Sequence, residues 1–408
     1  MSIDSKQVFS LLRHAPFSRF WLARICTIVA FQMQVVAVGW QMYTLTHSAM
    51  DLGLVGLAQF IPAVLLTLVV GQVADRYDRR RIAVTCQIVM AILVCTLCIG
   101  SLNHWLTREW IFILVMLMGA AKAFESPSMS ALLPSLVPVE VLPRAISLSS
   151  SAMQAAFIIG PALGGVIYVF GASVVYAIST LLFICAMSSL MRITTARQIP
   201  KMSNVGLKTI LAGIHFIRYK PVVLGAISMD LFAVLLGGAT ALLPIYAKDI
   251  LHTGPWGLGM LRATPAVGAL CMSVWLTWRP IERRTGPIMF VAVALFGFAT
   301  MVFGLSTSFY ISLAALLVLG ASDMISVVIR SSLIQLETPD DMRGRVSAVN
   351  FLFIGTSNQL GEFESGLTAN WWGVRTAVVT GGLGTLVVVA LWAHLFPALA
   401  RRDKLTTN

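Results

Sequence analysis

Nine charged side chains interrupt long apolar stretches: Arg24, Lys122, Arg262 and Arg330 are basic, and Glu125, Asp230, Asp323, Glu362 and Glu364 are acidic. A charge inside a hydrocarbon layer is costly, so such groups face a polar cavity or one another. Five acids against four bases leave at least one carboxylate without a cation of its own. A carboxyl group in that position can carry a proton. Asp230 and Asp323 are the first candidates for that role and Glu125 the next. A histidine relay is not expected, because His14, His47, His104, His215, His252 and His394 fall in loops or near the ends of apolar segments.

Depth along a helix rises by about 1.5 Å per residue, and it sorts these groups. Arg24, Glu125, Asp230 and Arg330 fall within about two turns of one another. Lys122 and Glu125 stand three residues apart on one helix face. Arg262 lies near the outer end of its segment, at a depth where Glu362 or Glu364 could pair with it. Uncharged polar residues in the same segments, among them Gln32, Gln34, Gln41, Gln154, Asn350, Asn358 and Gln359, are also expected to face inward. The substrate-cavity candidates are therefore Arg24, Gln32, Lys122, Glu125, Asp230, Asp323, Arg330, Asn358, Gln359 and Glu362. The alternative for each charge is a satisfied buried ion pair that only holds helices together. Trp371 and Trp372 read as interfacial anchors, and Trp40 and Trp110 as either anchors or cavity residues.

The elements that position these groups follow from composition. Of 408 residues, 58% are hydrophobic and 11% charged, and the mean hydropathy is +0.85. Soluble domains carry about 25% charge, so this is an integral membrane protein. Twelve helical crossings are expected, near 18–43, 50–74, 82–102, 109–134, 145–169, 173–192, 221–247, 256–278, 287–305, 309–335, 346–369 and 374–398. The net charge of +12 reflects topology rather than a nucleic-acid partner, for the basic residues collect in alternate loops. The loops on the side of the termini hold 22 Lys and Arg, and the opposite loops hold Arg108, Lys248 and Arg375. Both termini are thereby expected in the cytoplasm. No cleavable leader is visible ahead of the first crossing.

The expected organisation is an N-terminal segment over 1–17, a six-helix bundle over 18–192, a cytoplasmic linker over 193–220, a second bundle over 221–398 and a tail over 399–408. Within the linker, Leu207, Ile210, Leu211, Ile214 and Ile217 recur at helical spacing and predict a surface-lying amphipathic helix. A shift of 201 positions lays Pro138, Glu140, Arg144, Gly160 and Gly165 on Pro339, Asp341, Arg345, Gly361 and Gly366. Such a repeat suits a transporter whose substrate site lies between two halves. Lys122 and Asp323 occupy equivalent points of it. The six cysteines lie in or at the edge of apolar runs, and Cys95 and Cys98, despite their C-x-x-C spacing, read as packing residues. No metal or cofactor is implied, and no G-x-x-x-x-G-K-[ST] motif would bind a nucleotide.

The stretch Gly71-Gln-Val-Ala-Asp75-Arg76-Tyr-Asp78-Arg79-Arg80-Arg81 resembles the G-x-x-x-D-R-x-G-R-R signature of the major facilitator superfamily. Asp78 stands where the family more often has Gly, and Asp can make the left-handed turn that Gly would allow. Arg279 to Gly286 resembles a degenerate second copy, and Gly160-Pro161-Ala162-Leu163-Gly164-Gly165 resembles a motif frequent in the family's exporters. Phe20–Arg24, Leu45–Ser48 and Pro339–Arg345 are similar to the secretion-transporter branch that includes the bacterial enterobactin exporter. The resemblance implies an all-α membrane fold of two pseudo-symmetric six-helix bundles with alternating access, and the fourth and tenth crossings lining the cavity. It also implies a cytoplasmic gate at Gly71, Asp75, Arg76 and Arg80, with Asp75 facing the start of the eleventh crossing. Gly160, Pro161, Gly164 and Gly165 would pack helices tightly or seal a leak path.

These readings point to a monomeric secondary transporter of the bacterial inner membrane, not an enzyme. Its partners would be a small amphipathic molecule, siderophore-like or drug-like, together with protons and the lipid bilayer. A symporter importing a metabolite or lipid is the first alternative. A non-transporting membrane enzyme or sensor is the second, and it lacks a mid-span nucleophile–base pair or metal cluster.

Overall fold

A computed structural model describes residues 11, 13–193 and 207–404, without the side chains of 67, 68, 71, 72, 74, 75, 207–211, 340, 341 and 348. Most of these residues are helical, and none of them forms a strand. The helices are α1 (Ala15–Thr46), α2 (Ala49–Arg76), α3 (Arg79–Leu102), α4 (Arg108–Leu132), α5 (Leu142–Ile167), α6 (Ala172–Met191), α7 (Leu207–Arg218), α8 (Pro221–Gly237), α9 (Gly254–Trp278), α10 (Thr285–Leu305), α11 (Phe309–Glu337), α12 (Asp340–Trp372), α13 (Val374–Leu395) and α14 (Pro397–Ala400). Among the described residues, 11 helical segments are long and apolar enough to cross a membrane. The expected crossing at 346–369 lies in α12, which is 33 residues long. Its hydropathy is lowered by the residues that drew notice in the sequence, Asn350, Asn358, Gln359, Glu362 and Glu364.

Contacts group the chain into two compact units, Met1–Leu45 with Ala58–Ser203, and Thr46–Leu57 with Asn204–Asn408. This grouping differs at one place from the bundle drawn over 18–192. The start of α2 packs on α12, where a Cβ on Gly53 would lie 3.0 Å from the Glu362 carbonyl oxygen and 3.1 Å from Gly366 Cα. Two glycines let the backbones touch, and that contact overrides sequence order. In the first unit Phe17, Phe20, Ala23, Met129, Leu133 and Leu190 are buried in one apolar cluster. In the second, Met229, Met289, Val293, Ile329 and Leu333 form a cluster, and Ile217, Val223, Val346 and Val349 another.

The repeat is visible in backbone geometry. Pro138 and Pro339 precede equivalent helices with φ/ψ of −58°/151° and −57°/151°. Gly171 and Gly373 start α6 and α13 with φ of 111° and 84°, a region open to glycine. Gly119 and Gly320, 201 positions apart, each press against a carbonyl of the neighbouring helix, that of Gln59 and that of Pro265, so closely that a Cβ would overlap the oxygen.

Four local expectations change. Asp78 has φ −62° and ψ 118°, not a left-handed conformation; it is the N-cap of α3, its side chain accepting from the Arg80 N–H at 2.9 Å. An acid there satisfies an orphan amide and faces the positive end of the helix. The segment expected as one helix over 221–247 is broken: α8 ends at Gly237, and 3-10, α and π turns carry the chain through Ile250. Gly238 lies where a Cβ would meet the Gly361 backbone at 2.9 Å, and Pro244 has no amide to donate, so a regular helix has no support there. The predicted amphipathic segment is helical as α7, but it is not laid wholly on a surface. Gly213 meets the Arg345 carbonyl and Ile217 is buried, whereas Ile214 is exposed; the side chains of Leu207, Ile210 and Leu211 lie outside the described residues. Finally, part of the tail over 399–408 is bound. The amides of Thr285 and Gly286 donate to the carbonyls of Asp403 and Arg402 at 3.1 and 2.9 Å. Asp403 accepts the Arg284 N–H at 3.1 Å, and Arg402 pairs with Glu337 at 2.5 Å.

Candidate substrate and ion-coupling site

The intramembrane charges fall into one group in the first unit and two in the second. In the first, α4 turns Lys122 and Glu125 to one face, and Lys122 Nζ meets Glu125 Oε2 at 2.7 Å, as the spacing of three residues predicts. Glu125 is buried, while the Lys122 side chain keeps 32% of its exposure. Arg24 of α1 is half-buried; it touches Met153 Sδ at 3.6 Å, lies 5.9 Å from the Phe20 ring and feels the charge of Glu125. Lys122 lies over Phe31 at 5.1 Å.

In the second unit Arg330 of α11 donates to the Asp230 carboxylate of α8, and both side chains are buried. Depth alone did not predict that these two would pair with each other. Beside them a cavity with room for about one water is lined by Asp230, Asp323, Ser322, Ser326, Ala233 and Phe296, among others. Asp323 has no hydrogen-bond or ion-pair partner among the described residues, and the hydroxyls of Ser322 and Ser326 are buried and unpartnered. Further along, Thr240 in the broken segment donates to Glu362 Oε1 at 3.5 Å, and Arg262 and Glu362 interact electrostatically. Gln359 is half-buried with an unpartnered oxygen, whereas Asn358 is exposed.

Other predicted positions have structural contacts. Gly160 and Gly164 of α5 lie against α1, where Cβ atoms would come within 2.6 Å of Gln32 Cβ and 2.9 Å of Met33 Cα. Gln32 therefore sits at this crossing, and Pro161 and Gly165 are buried beside it. Of the gate motif, the side chains of Gly71 and Asp75 lie outside the described residues. Arg76 is exposed at the end of α2, and Arg80 donates to the Ile193 carbonyl. Arg79 donates to Ala131 O at 3.1 Å and Arg19 to Arg192 O. Sequence reasoning had assigned Arg19 and Arg79 to topology only. Both arginines lie near the starts of their own helices and reach carbonyls at the ends of other helices, so no local spacing signals these contacts.

The fold is shared with solved transporters. A bacterial homologue of the iron transporter ferroportin in an inward-facing state has a TM-score of 0.73 at 18% identity, covering 96% of this chain and 100% of that one. A bacterial homologue of the human lysosomal transporter Spinster, inward-facing and unoccupied, has 0.74 at 13%, covering 94% and 97%. In sequence, the enterobactin exporter EntS of Citrobacter koseri is 26% identical over 399 residues, covering 96% of this chain and 94% of that protein. The EntS protein of Shigella boydii serotype 18 is also 26% identical, over 405 residues with the same coverage. The family profile described as transmembrane secretion effector matches residues 6–406. With two repeated helical units, charges buried within them and this match over nearly its whole length, the chain belongs to the transmembrane secretion effector family of major facilitator transporters.

Proposed function

We propose that this transporter exports a small amphipathic molecule, siderophore-like or drug-like, across the bacterial inner membrane in exchange for protons, by alternating access of two bundles joined by the linker over 193–220. The observation that carries proton coupling is Asp323, an intramembrane carboxyl beside the Asp230–Arg330 pair with no hydrogen-bond or ion-pair partner among the described residues. The export direction is supported by similarity to proteins named as enterobactin exporters. The lysine and arginine distribution supports cytoplasmic termini. In this reading Arg76 and Arg80, with Gly71 and Asp75, form the cytoplasmic gate, and the protein works as a monomer.

The test is reconstitution in liposomes holding a pH-sensitive dye, with siderophores and drug-like compounds as substrates. Substrate-dependent proton movement is expected from the unsubstituted protein, with its loss in Asp323→Asn. Asp230→Asn is expected to weaken it by releasing Arg330. Transport that continues without proton movement in all three proteins would overturn antiport. Accumulation of added substrate inside energised cells would favour import instead.

A further inference from the structure

In the first unit, two cations share one carboxylate. Lys122 occupies Glu125 at 2.7 Å, so the acid already has its partner. Arg24, with five N–H donors to satisfy, has only the Met153 thioether as a hydrogen-bond partner among the described residues, and a thioether is a weak acceptor. The group therefore keeps one positive charge in excess. The second unit's buried-pair group has the opposite balance, with Asp230 and Asp323 against Arg330. A cation facing hydrocarbon at mid-span is costly, so the exposed third of Lys122 and the half-exposed Arg24 face a watered space. Aromatic rings lie beside both cations: Phe20, fully buried, is 5.9 Å from Arg24, and Phe31, only half-buried, is 5.1 Å from Lys122.

We infer that Arg24, Lys122 and Phe31 form the counter-ion site for a ligand of one class, an organic anion with an aromatic ring. A planar carboxylate matches the guanidinium fork with two parallel hydrogen bonds. Lys122 supplies a second positive charge, and the partly open Phe31 ring packs against that of the ligand. Glu125 tempers the charge, so the site does not hold its anion too tightly to release it. This rests on the transporter reading for what the site is for, but not for what it binds.

Three probes with one ring system and different charges test it: 2-naphthoate, 2-naphthamide and 2-naphthylmethylammonium. Their binding is measured by calorimetry to the full chain in lipid nanodiscs. The anion is expected to bind tightest and the ammonium weakest. Arg24→Gln should weaken naphthoate about ten- to a hundredfold and leave naphthamide unchanged, and Arg24→Lys should recover part of the loss. Tighter binding of the ammonium than of the anion, or naphthoate binding unaltered by Arg24→Gln, would overturn the inference. The order of the probes on the unsubstituted protein decides the matter even if Arg24→Gln does not fold. Naphthoate bound but never moved into or out of proteoliposomes would remove the transport reading and keep the anion site. Transport of the ammonium probe, indifferent to Arg24→Gln, would do the reverse.

Discussion

The two units use one repeated helical plan and hold their buried charges in different ways. In the first, Lys122 and Glu125 are neighbours on one helix, and the lysine stays partly exposed. In the second, Asp230 and Arg330 come from different helices 100 positions apart, and both are buried. A pair on one helix ties no second helix to it, and the partly exposed lysine is screened by solvent although Glu125 is buried. A buried interhelical pair binds its helices together, because either partner alone would be an uncompensated charge. Their helix caps differ in the same way. Asp78 caps α3 from the adjacent position, whereas Asp403 reaches the start of α10 from 119 positions away. Equivalent helices were thus given a local solution in one half and a long-range one in the other.

The contrast can be broken most sharply at Arg330. Arg330→Met strands Asp230 and should cost about 3–5 kcal/mol, seen as a large fall in thermal unfolding temperature in detergent. Adding Asp230→Asn should restore part of it. If the single variant melts like the unsubstituted protein, the pair does not hold α8 to α11. Next come Gly119→Ala and Gly320→Ala, where a methyl would overlap the carbonyls of Gln59 and Pro265. Each should cost about 1–3 kcal/mol in the same assay, and similar losses would show that the two units share this crossing. Asp78→Ala and Asp403→Ala should each cost about 0.5–2 kcal/mol. Hydrogen exchange should rise at the start of α3 in the first and at Arg284, before α10, in the second; exchange unchanged there would dismiss the Asp403 side chain as a cap and leave the tail's backbone carbonyls in that role. A smaller loss than that of Arg330→Met is expected from Lys122→Met, because the charge of Arg24 still acts on Glu125. A loss as large as that of Arg330→Met would erase the distinction between the units.

Much of the architecture could be read in advance because membrane spans announce themselves. The Lys122–Glu125 contact was legible too, since spacing of three places both on one face. The partner of Arg330 was not, for depth allowed several acids and only helix packing selects Asp230. The break after Gly237 was hidden because Gly and Pro are common in membrane helices. The role of Asp78 was misread because the family motif suggested a glycine-like turn, while the local pattern of an acid two residues before a donated amide pointed to a cap.

The sequence by itself determined the membrane class, the order of the apolar helices, the repeat of 201 positions and the charges within them. These depend on hydrophobicity and on spacing along one helix, which no tertiary contact is needed to set. The tertiary structure alone decided which charges are neutralised: among the described residues Asp323 has no hydrogen-bond or ion-pair partner, and Arg24 has only a thioether as hydrogen-bond acceptor. It also decided where Asp403 caps, and that the start of α2 packs with α12. Those outcomes depend on which helix faces meet, and facing is set by close contacts at Gly53, Gly119, Gly320 and Gly361 between segments distant in the chain.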